Sequence, residues 1–366
     1  MLKYVGTPHT VWWVPMLFGR IKKSRHEIFD REYEFNQLTR AAEDGVPLIV
    51  LTGIRRVGKT TLVKVFLNEV DFPGAYVDVR KLWSAHRNIS PEVLKKEIAR
   101  ELLSRKSYAP VMKLLKSLKG IRIAGMGVEF REKEYSLIDL LDDIERSGER
   151  TIIAFDEAQY LRYSNHDYTA LFASLNDNYE NITLILTGSE VQILEEFLGF
   201  NDRYSPLYKR EHEVIHLERF SRGESLLYLR RGFEEVGMKV PDRELESAVE
   251  TLDGIVGWLR EYGWMRYRGK SHQEAIDEVF QRAKRDIIDE LSGYSKRYLL
   301  IMSAVSEGYR SWRAIKTYLE MIEGKEINKG TLYTEVRNLI RYGYLEKRGN
   351  EYHITDPVIE RALRYG

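Results

Sequence analysis

A short run that begins at Gly53 has the residue types and spacing needed to hold an anion. It reads GIRRVGKT, with four residues between its two glycines, and the second glycine is followed directly by Lys59 and Thr60. The backbone N–H groups of such a loop, ahead of a helix N-terminus, form a concave nest for phosphate oxygens. Lys59 would reach the β- and γ-phosphates as a point charge, and the Thr60 hydroxyl would bind Mg²⁺. The residues predicted to contact a nucleotide here are Gly53, Ile54, Arg55, Arg56, Val57, Gly58, Lys59, Thr60 and Thr61.

An acidic pair, Asp156 and Glu157, follows the apolar run TIIAF. Asp156 would hold Mg²⁺, directly or through water, and Glu157 would polarise the attacking water. On its own, such a pair is as often part of a solvated loop as part of a catalytic site. Together with the phosphate loop it supplies the metal, the charge neutralisation and the oriented water that phosphoryl transfer requires. We therefore predict catalytic roles for Lys59 and Glu157, with ATP or ADP and Mg²⁺ as the bound groups.

The elements that must position these side chains are predicted from apolar runs. The run PLIVLT before the loop predicts a strand, and the apolar spacing after it predicts a helix from Thr60 to Glu69. Four further strands are predicted at 75–79, 151–155, 181–187 and 213–217, and the alternation over 120–130 is consistent with a hairpin. Strands that alternate with helices indicate a parallel five-stranded sheet covered on both faces. Its ligand crevice is expected at the carboxyl ends of the strands.

The pattern after Phe220 is helical. A lid is predicted from helices at 222–236, 242–252 and 258–290. Three further helices and two short strands about Gly349 and Asn350 predict a winged helix-turn-helix. The predicted domains are an N-terminal extension packed on the core (1–27), an ATPase core (28–220), a helical lid (221–290) and a winged helix (291–366).

The winged helix could take DNA or a protein as its partner. Residues 290–366 carry 13 Lys and Arg against 10 Asp and Glu. This modest basic face, with Lys329, Arg337 and Arg341 on the third helix, suits a few phosphate contacts. A protein-docking or autoinhibitory module explains it equally well. Tyr333 and Tyr344 are predicted to be core aromatics rather than stacking platforms.

The composition excludes several classes of protein. Lys and Arg (57) nearly balance Asp and Glu (56), so no global field favours bulk nucleic-acid binding. The absence of cysteine excludes disulfides, thiolate chemistry and cysteine-zinc sites, and fits a cytoplasmic protein from a hot habitat. The eight histidines lack metal-ligand spacing, which leaves Mg²⁺ as the expected metal. The apolar run at 11–19 is too short for a membrane span and is expected to pack on the following domain.

Three segments, GIRRVGKT, TIIAFDEAQ and LILTGS, together resemble an AAA+ ATPase, and more narrowly the archaeal ATPase family of STAND-type P-loop NTPases. The run that starts at Phe29 (FDREYEF) is similar to the family motif that borders the adenine, and SPLYKR at 205–210 is similar to its SPLYGR motif. The likeness runs from about Ile28 to Leu259, and a C-terminal winged helix is a common companion. The resemblance implies that Ile28, Phe29 and Arg31 contact an adenine nucleotide.

The resemblance also implies roles for residues beyond the phosphate loop. Thr187, with Ser189, would sense the γ-phosphate, and Arg210 would be an arginine finger acting on its own nucleotide or a neighbour's. The sequence departs from the family at two positions. Val256 stands where the family has the lid proline, and Lys209 replaces the glycine before the arginine. These departures bear on lid closure and favour slow turnover.

The leading functional hypothesis is therefore a molecular switch, in which ATP binding and slow hydrolysis change how the lid and winged helix sit on the core. The alternative is an ATP-gated DNA-binding protein that resembles replication initiators or transcription regulators. Small-molecule kinases also carry GxxxxGK[ST], but the acidic pair, the predicted finger and the winged helix weigh against a kinase. The pathway, the partner and the oligomeric state are left open by the sequence.

Overall fold

A parallel sheet of five strands is the centre of the computed structural model, which describes residues 16–19, 22–104, 114, 118, 121–124, 127–130 and 135–365. Its strands are β1 Leu48–Thr52, β2 Gly74–Asp78, β5 Thr151–Asp156, β6 Ile182–Thr187 and β7 Glu213–His216. A separate antiparallel hairpin consists of β3 Ile121–Ala124 and β4 Gly127–Phe130. The spatial order of the sheet is β2-β5-β6-β1-β7, with every neighbouring pair parallel. The predicted parallel sheet and hairpin are confirmed, although the hairpin turn at 125–126 lies outside the described residues.

Helices cover both faces of the sheet. The strands β1, β5 and β6 are buried along their whole length, as expected for parallel strands packed on two sides. One face packs on Phe35 and Phe66, and the other packs on residues that include Ile98 and Leu140. Because the strands are parallel, their carboxyl ends meet at one edge of the sheet. The core helices are α1 Glu32–Asp44, α2 Lys59–Glu69, α3 Val79–His86, α4 Pro91–Ser104, α5 Leu137–Arg146, α6 Tyr168–Asn178 and α7 Val191–Leu198.

The lid is helical, but its last part differs from the prediction. Its helices are α8 Arg222–Glu235, α9 Asp242–Leu252, α10 Val256–Tyr267 and α11 His272–Ser292. The segment predicted as helical over 258–290 is helical, but it contains two helices, because the chain turns between α10 and α11. Gly269 adopts a φ of 87°, and Ser271 starts α11 in a capping box with Glu274. A glycine followed by a serine cap ends one helix and begins the next, even though the apolar pattern continues.

The C-terminal module is a winged helix, as predicted. Its elements are α12 Lys296–Ser306, α13 Trp312–Glu323, α14 Lys329–Arg341, β8 Leu345–Arg348, β9 Glu351–Ile354 and α15 Pro357–Tyr365. The last helix was not predicted. Asp356 starts it by accepting from the backbone N–H groups of Val358 at 2.9 Å and Ile359 at 3.3 Å. Both of these residues are buried, so α15 is an amphipathic helix that packs back on the domain.

One hydrophobic cluster joins the lid and the winged helix. It includes Trp258 and Tyr262 from the lid and Leu332 and Tyr344 from the winged helix. The prediction that Tyr344 lies in the core is confirmed, with 3% of it exposed. The same prediction for Tyr333 was wrong, since 60% of it is exposed. Tyr333 follows Leu332 on α14 and therefore points away from the buried face of that helix.

The described part of the N-terminal extension contacts two different domains. The backbone N–H of Arg25 donates to Glu69 of α2 at 2.9 Å, and Asn68 donates to the carbonyl of Lys23 at 3.0 Å. Phe18, by contrast, is buried in the hydrophobic cluster of the lid. The expected packing on the core is therefore corrected for Phe18, because the lid offers a closely fitting apolar socket. The rest of the apolar run, residues 11–15, lies outside the described residues.

No helix in the described part of the chain combines the length and the apolar character needed to cross a bilayer.

Candidate active site

A cavity of about 440 Å³ lies where the carboxyl edge of the sheet meets the lid and the end of the winged helix. Cavities of this size are typical of small-molecule sites. The predicted site residues that line it are Ile28, Phe29, Arg31, Arg55, Arg56, Val57, Gly58, Lys59, Thr60, Thr61 and Glu157. The other predicted residues, which do not line it, are Gly53, Ile54, Asp156, Thr187 and Arg210.

The glycine-rich loop connects β1 directly to α2. Gly53 has a φ of 140°, and a Cβ atom there would lie 2.4 Å from the carbonyl oxygen of Leu217, so only glycine fits. Gly58 has a φ of 105° and caps α2. Both glycines therefore adopt left-handed backbone conformations that favour glycine, and together they form the turn between β1 and α2. The N-terminus of α2, with its unpaired N–H groups, points at the cavity.

Lys59 folds back on its own loop. Its ammonium donates to the carbonyl oxygens of Gly53 at 2.6 Å and Ile54 at 2.9 Å. Burial lowers the pKa of Lys59 to about 8, against the opposing influence of Glu157 and Asp156. An anion in the cavity would favour the charged ammonium and offer it stronger acceptors than two carbonyls.

Asp156 accepts hydrogen bonds from three hydroxyl groups. Thr60 donates to Oδ2 at 2.8 Å, Tyr76 donates to the same oxygen, and Thr187 donates to Oδ1. Tyr76 was missed by the sequence analysis. It lies on β2, whose Asp78 pairs in register with Asp156, and no local motif marks it. Its contact with Asp156 is a consequence of strand order alone.

The oxygen atoms at this position fit Mg²⁺. Thr60 and Asp156 supply a hydroxyl and a carboxylate, the hard oxygen ligands that Mg²⁺ prefers, with 2.8 Å between their oxygens. In the parts of the chain that the structure describes, no group of three His, Cys, Asp or Glu side chains could hold a metal. A bound Mg²⁺ would thus depend on phosphate and water for its other ligands, which is how it is commonly held beside a nucleotide.

Glu157 is held in the cavity by a fixed set of donors. Its backbone is left-handed, with a φ of 55°. Its carboxylate accepts from the hydroxyl of Ser189 at 2.9 Å and from the amide of Gln159 at 2.6 Å. Burial raises the pKa of Glu157, but Arg55 and Gln159 outweigh burial, and the net shift is downward. The carboxylate is therefore ionised at neutral pH and can accept a hydrogen bond from a water.

The strand β6 places Thr187 and Ser189 differently. Thr187 is fully buried behind the acidic pair, where it donates to Asp156 and accepts from the backbone N–H of Glu157 at 3.2 Å. Ser189 lines the cavity and bonds to Glu157. Of the two residues predicted to sense the γ-phosphate, Ser189 is therefore the one that faces the cavity, whereas Thr187 holds the carboxylate of Asp156 and the backbone of Glu157.

Arg210 lies outside this cavity. Its guanidinium forms a two-pronged ion pair with Asp177 of α6, with Nε to Oδ1 at 2.7 Å and the terminal nitrogen to Oδ2 at 2.6 Å. The predicted finger is thus not brought to the phosphate loop of its own chain in this arrangement.

Aromatic side chains form one wall of the cavity. Phe29 packs edge-to-face on Phe220 and Tyr228, at centroid distances of 5.6 Å and 5.4 Å. Arg31 lies over the ring of Phe220 at 4.8 Å and donates to the carbonyl of Glu218 at 2.7 Å. The N–H groups of Arg31 are thus largely bonded to other groups of the protein. Arg31 therefore forms part of the cavity wall and is not a cation free to pair with a phosphate.

The comparisons with known proteins agree with this geometry. Residues 28–262 match a family described as an ATPase domain predominantly from Archaea. The chain belongs to this family. Residues 293–355 match the C-terminal winged helix-turn-helix domain of MCM proteins. The predicted family and ATPase activity are confirmed.

Solved structures similar to this ATPase include examples at 37% and at 15% sequence identity. It is similar to a Walker-type ATPase of Pyrococcus abyssi, with 37% identity and a TM-score of 0.82 over 95% of this chain and 99% of that chain. The ORC2 protein of Aeropyrum pernix, in ADPNP-ADP complexes, has 15% identity and a TM-score of 0.63 over 95% and 97% of the two chains. Its ADP form has 15% identity and a TM-score of 0.56 over the same shares. At this identity the ORC2 likeness concerns the fold alone. A search of curated sequences found no match.

The lid of the ATPase touches the phosphate loop through its α10 helix. The backbone N–H of Gly257 donates to the carbonyl of Arg56 at 3.0 Å. Val256, at the position of the family's lid proline, lines the cavity and lies 3.8 Å from the Cβ position of Gly58. Valine therefore keeps an apolar contact at this point of the cavity wall.

Two arginines of the phosphate loop reach beyond the core. Arg56 pairs with Asp286 of α11, and its guanidinium lies 3.8 Å from the ring centroid of Trp258. Arg55 contacts the winged helix as well as the lid, as its three partners show. Those partners are Glu290 of α11, Glu190 at 3.3 Å and the ring of Tyr344 at 4.9 Å.

Proposed function

We propose that this ATPase is a nucleotide-operated switch of the AAA+/STAND type, in which bound ATP and its slow hydrolysis set the arrangement of lid and winged helix. The observation that carries the proposal is the double contact of Arg55 and Arg56. Both arise from the phosphate loop, and both end on carboxylates of α11. A triphosphate in the cavity would compete with those carboxylates for the same cations.

Each part of the proposed chemistry has a proposed residue. Lys59 and the loop N–H groups bind the β- and γ-phosphates, and Thr60 with Asp156 holds Mg²⁺, which neutralises charge on the phosphates when bound. Glu157 orients the attacking water. Phe29 and its aromatic neighbours contact the base. The proposed domain boundaries remain 1–27, 28–220, 221–290 and 291–366.

The test combines nucleotide binding with hydrogen exchange. Lys59→Ala should lose tight Mg-ATP binding, while Lys96→Ala, which changes an exposed lysine on α4, should not. In the parent, ATP should increase amide exchange around Glu290 and Tyr344 relative to ADP. Lys59→Ala with parental affinity, or identical exchange in ATP and ADP, would remove the basis of the switch.

Arg210 is proposed to act on the nucleotide of a neighbouring chain. The support is its partly exposed position outside the cavity, where it pairs with the exposed residue Asp177, which a nucleotide of a neighbouring chain could replace. A mixture of Arg210→Ala and Lys59→Ala chains should then recover turnover, because one supplies an intact cavity and the other an intact finger. If the mixture stays as inactive as each variant alone, action between chains is refuted.

A second candidate function, ATP-gated DNA binding, is favoured by the outer face of α14. Lys329, Tyr333 and Arg337 are all exposed there, whereas Arg341 at the end of the helix is paired with Glu196 of the core at 2.9 Å. Affinity for duplex DNA should fall steeply with salt if these cations contact phosphates. A slope near zero, or no binding at about 50 mM salt, would exclude this function.

A further inference from the structure

Phe18 occupies a socket inside the lid. Only 1% of it is exposed, and its ring lies 5.0 Å from that of Phe233 and 5.9 Å from that of Tyr228, both in edge-to-face contact. Such contacts are favourable for aromatic pairs. The ring is therefore an integral part of the lid, although it belongs to a segment that precedes the core in sequence.

Two glycines in helix interiors form the walls of the socket. A Cβ atom at Gly232 of α8, or at Gly263 of α10, would lie 2.3 Å from a ring atom of Phe18. Glycine weakens the interior of a helix, so its presence at both positions calls for a reason. The close approach of the Phe18 ring supplies that reason for both helices.

The backbone beside Phe18 is fastened to the same domain. The carbonyl of Leu17 accepts from the hydroxyl of Tyr228 at 2.9 Å and from the ammonium of Lys22 at 3.0 Å. The N–H of Leu17 donates to the carboxylate of Glu235 at 3.0 Å. Hydrogen bonds on both sides of the Leu17 peptide thus fix the path of the segment over the lid.

This path forms part of the cavity wall. Leu17, Gly19 and Lys22 line the same cavity as Phe29 and Tyr228, and Leu17 contacts Tyr228 on this aromatic wall. Burial lowers the pKa of Lys22 to about 8, as expected for an ammonium enclosed between segments. We propose that Met16–Gly19 and Lys22 form a strap that retains the nucleoside end of a bound adenine nucleotide, with Phe18 as the positioning residue that anchors the strap in the lid.

The proposal deepens the proposed function and rests on it, since it requires the nucleotide to lie in this cavity. A strap anchored in the lid must detach before the nucleoside can leave. The anchor should therefore control the rate of nucleotide release more than the rate of the chemical step.

The experiment measures the dissociation rate of a fluorescent ADP analogue from the full chain, chased with unlabelled ADP. Phe18→Ala should release the analogue at least about tenfold faster, whereas Ile322→Ala, an exposed apolar residue on α13, should release it at the parental rate. Gly263→Ala should accelerate release as Phe18→Ala does, because its methyl group displaces the ring. In the Phe18→Ala background, Gly263→Ala should add nothing, since the clash no longer exists.

The outcomes separate the two proposals. A parent protein that binds no analogue overturns the proposed function, and the strap with it. A parent that binds it, with Phe18→Ala releasing it at the parental rate, overturns the strap alone. Equal effects of Gly263→Ala in both backgrounds overturn the anchoring role of Phe18. If Phe18→Ala does not fold, Phe18→Leu and Lys22→Met decide, since both weaken the strap without emptying the socket, and unchanged release in both refutes it.

Discussion

Arg55 offers the sharpest test of how the phosphate loop is joined to the rest of the molecule. Replacing it by methionine keeps an unbranched apolar side chain but removes the guanidinium that lies between Glu190, Glu290 and the ring of Tyr344. The side chain of Arg55 is 20% exposed and that of Glu190 only 4%. The substitution therefore leaves a carboxylate buried without its cation.

The expected loss of stability follows from that burial. Removing one partner of a buried ion pair costs about 3–5 kcal/mol, and the lost cation–π contact with Tyr344 adds about 0.5–2 kcal/mol. Because Arg55 keeps some solvent contact, we expect a total of about 3–5 kcal/mol in nucleotide-free protein at pH 8. Arg80→Met is the matched control. Arg80 pairs with the same Glu290 at 3.4 Å but is 45% exposed, so its loss should be below about 1 kcal/mol.

The loss should also depend on pH, with a definite sign. Burial raises the pKa of Glu190 to about 7, although Arg55 lowers it. Between its ordinary pKa and that value, the folded state binds more protons than the unfolded state, so stability falls as pH rises. Without Arg55 the folded pKa rises further and the fall extends to higher pH. The difference between variant and parent should therefore be larger at pH 8 than at pH 6.

Urea unfolding of both variants and the parent at the two pH values, followed by circular dichroism, measures these differences. Hydrogen exchange of the peptides around Glu290 and Tyr344 locates them. The reasoning fails if Arg55→Met costs no more than Arg80→Met, or if its cost shrinks as the pH is raised.

Three further predictions concern the acidic pair and the two docking contacts of the winged helix. Glu157→Gln should bind ATP normally and slow phosphate release by at least about tenfold, and unchanged release would discard Glu157 as the water-orienting group. Trp258→Phe removes the indole N–H that donates to buried Asp356 at 2.9 Å, and it should lower the free energy of unfolding in urea by about 1–3 kcal/mol. An unchanged free energy of unfolding would contradict the importance of that bond. Arg341→Ala breaks a partly exposed pair with Glu196 and should lower the free energy of unfolding by less than about 1 kcal/mol. A loss of several kcal/mol in the same assay would mean that docking of the winged helix on the core depends on this pair.

The sequence predicted the parts of the site that local chemistry determines. The glycines, Lys59 and Thr60 are adjacent in the chain, and the apolar runs before them and before Asp156 identify strands whose carboxyl ends must meet. The loop geometry and the sheet follow from these signals. The same is true of the winged helix, whose turn residues and amphipathic spacing are local.

What the sequence could not predict depends on contacts between distant segments. Tyr76 reaches Asp156 only because β2 lies beside β5, and Phe18 enters the lid only because Gly232 and Gly263 leave room for its ring. Tyr333 is a tyrosine like the buried Tyr344, but it lies on the outer face of its helix. Residue type and spacing do not reveal the order of the strands in the sheet or the rotation of a helix about its axis. These two features determined each of the missed contacts.

The placement of two arginines in the phosphate loop gives a physical reason why nucleotide binding would be coupled to the position of the lid. This coupling requires no distortion transmitted through the core. Arg55, Arg56 and Lys59 concentrate positive charge on one short loop, and in the structure carboxylates of α11 balance the two arginines. A pair of unit charges about 4 Å apart is worth about 4 kcal/mol at an effective dielectric constant of about 20. A triphosphate brings several negative charges to the same loop, and each arginine that turns toward it releases a carboxylate of the lid. On the proposed function, exchange of both pairs is on the scale of the free energy, about 5.5 kcal/mol, needed to shift an equilibrium between docked and released lid from one side to the other. Charge reversal at Asp286 and Glu290 should therefore favour the released state even without nucleotide, whereas the amide substitutions at both positions should weaken the docked state and reduce its response to ATP, measured by hydrogen exchange around Glu290 and Tyr344.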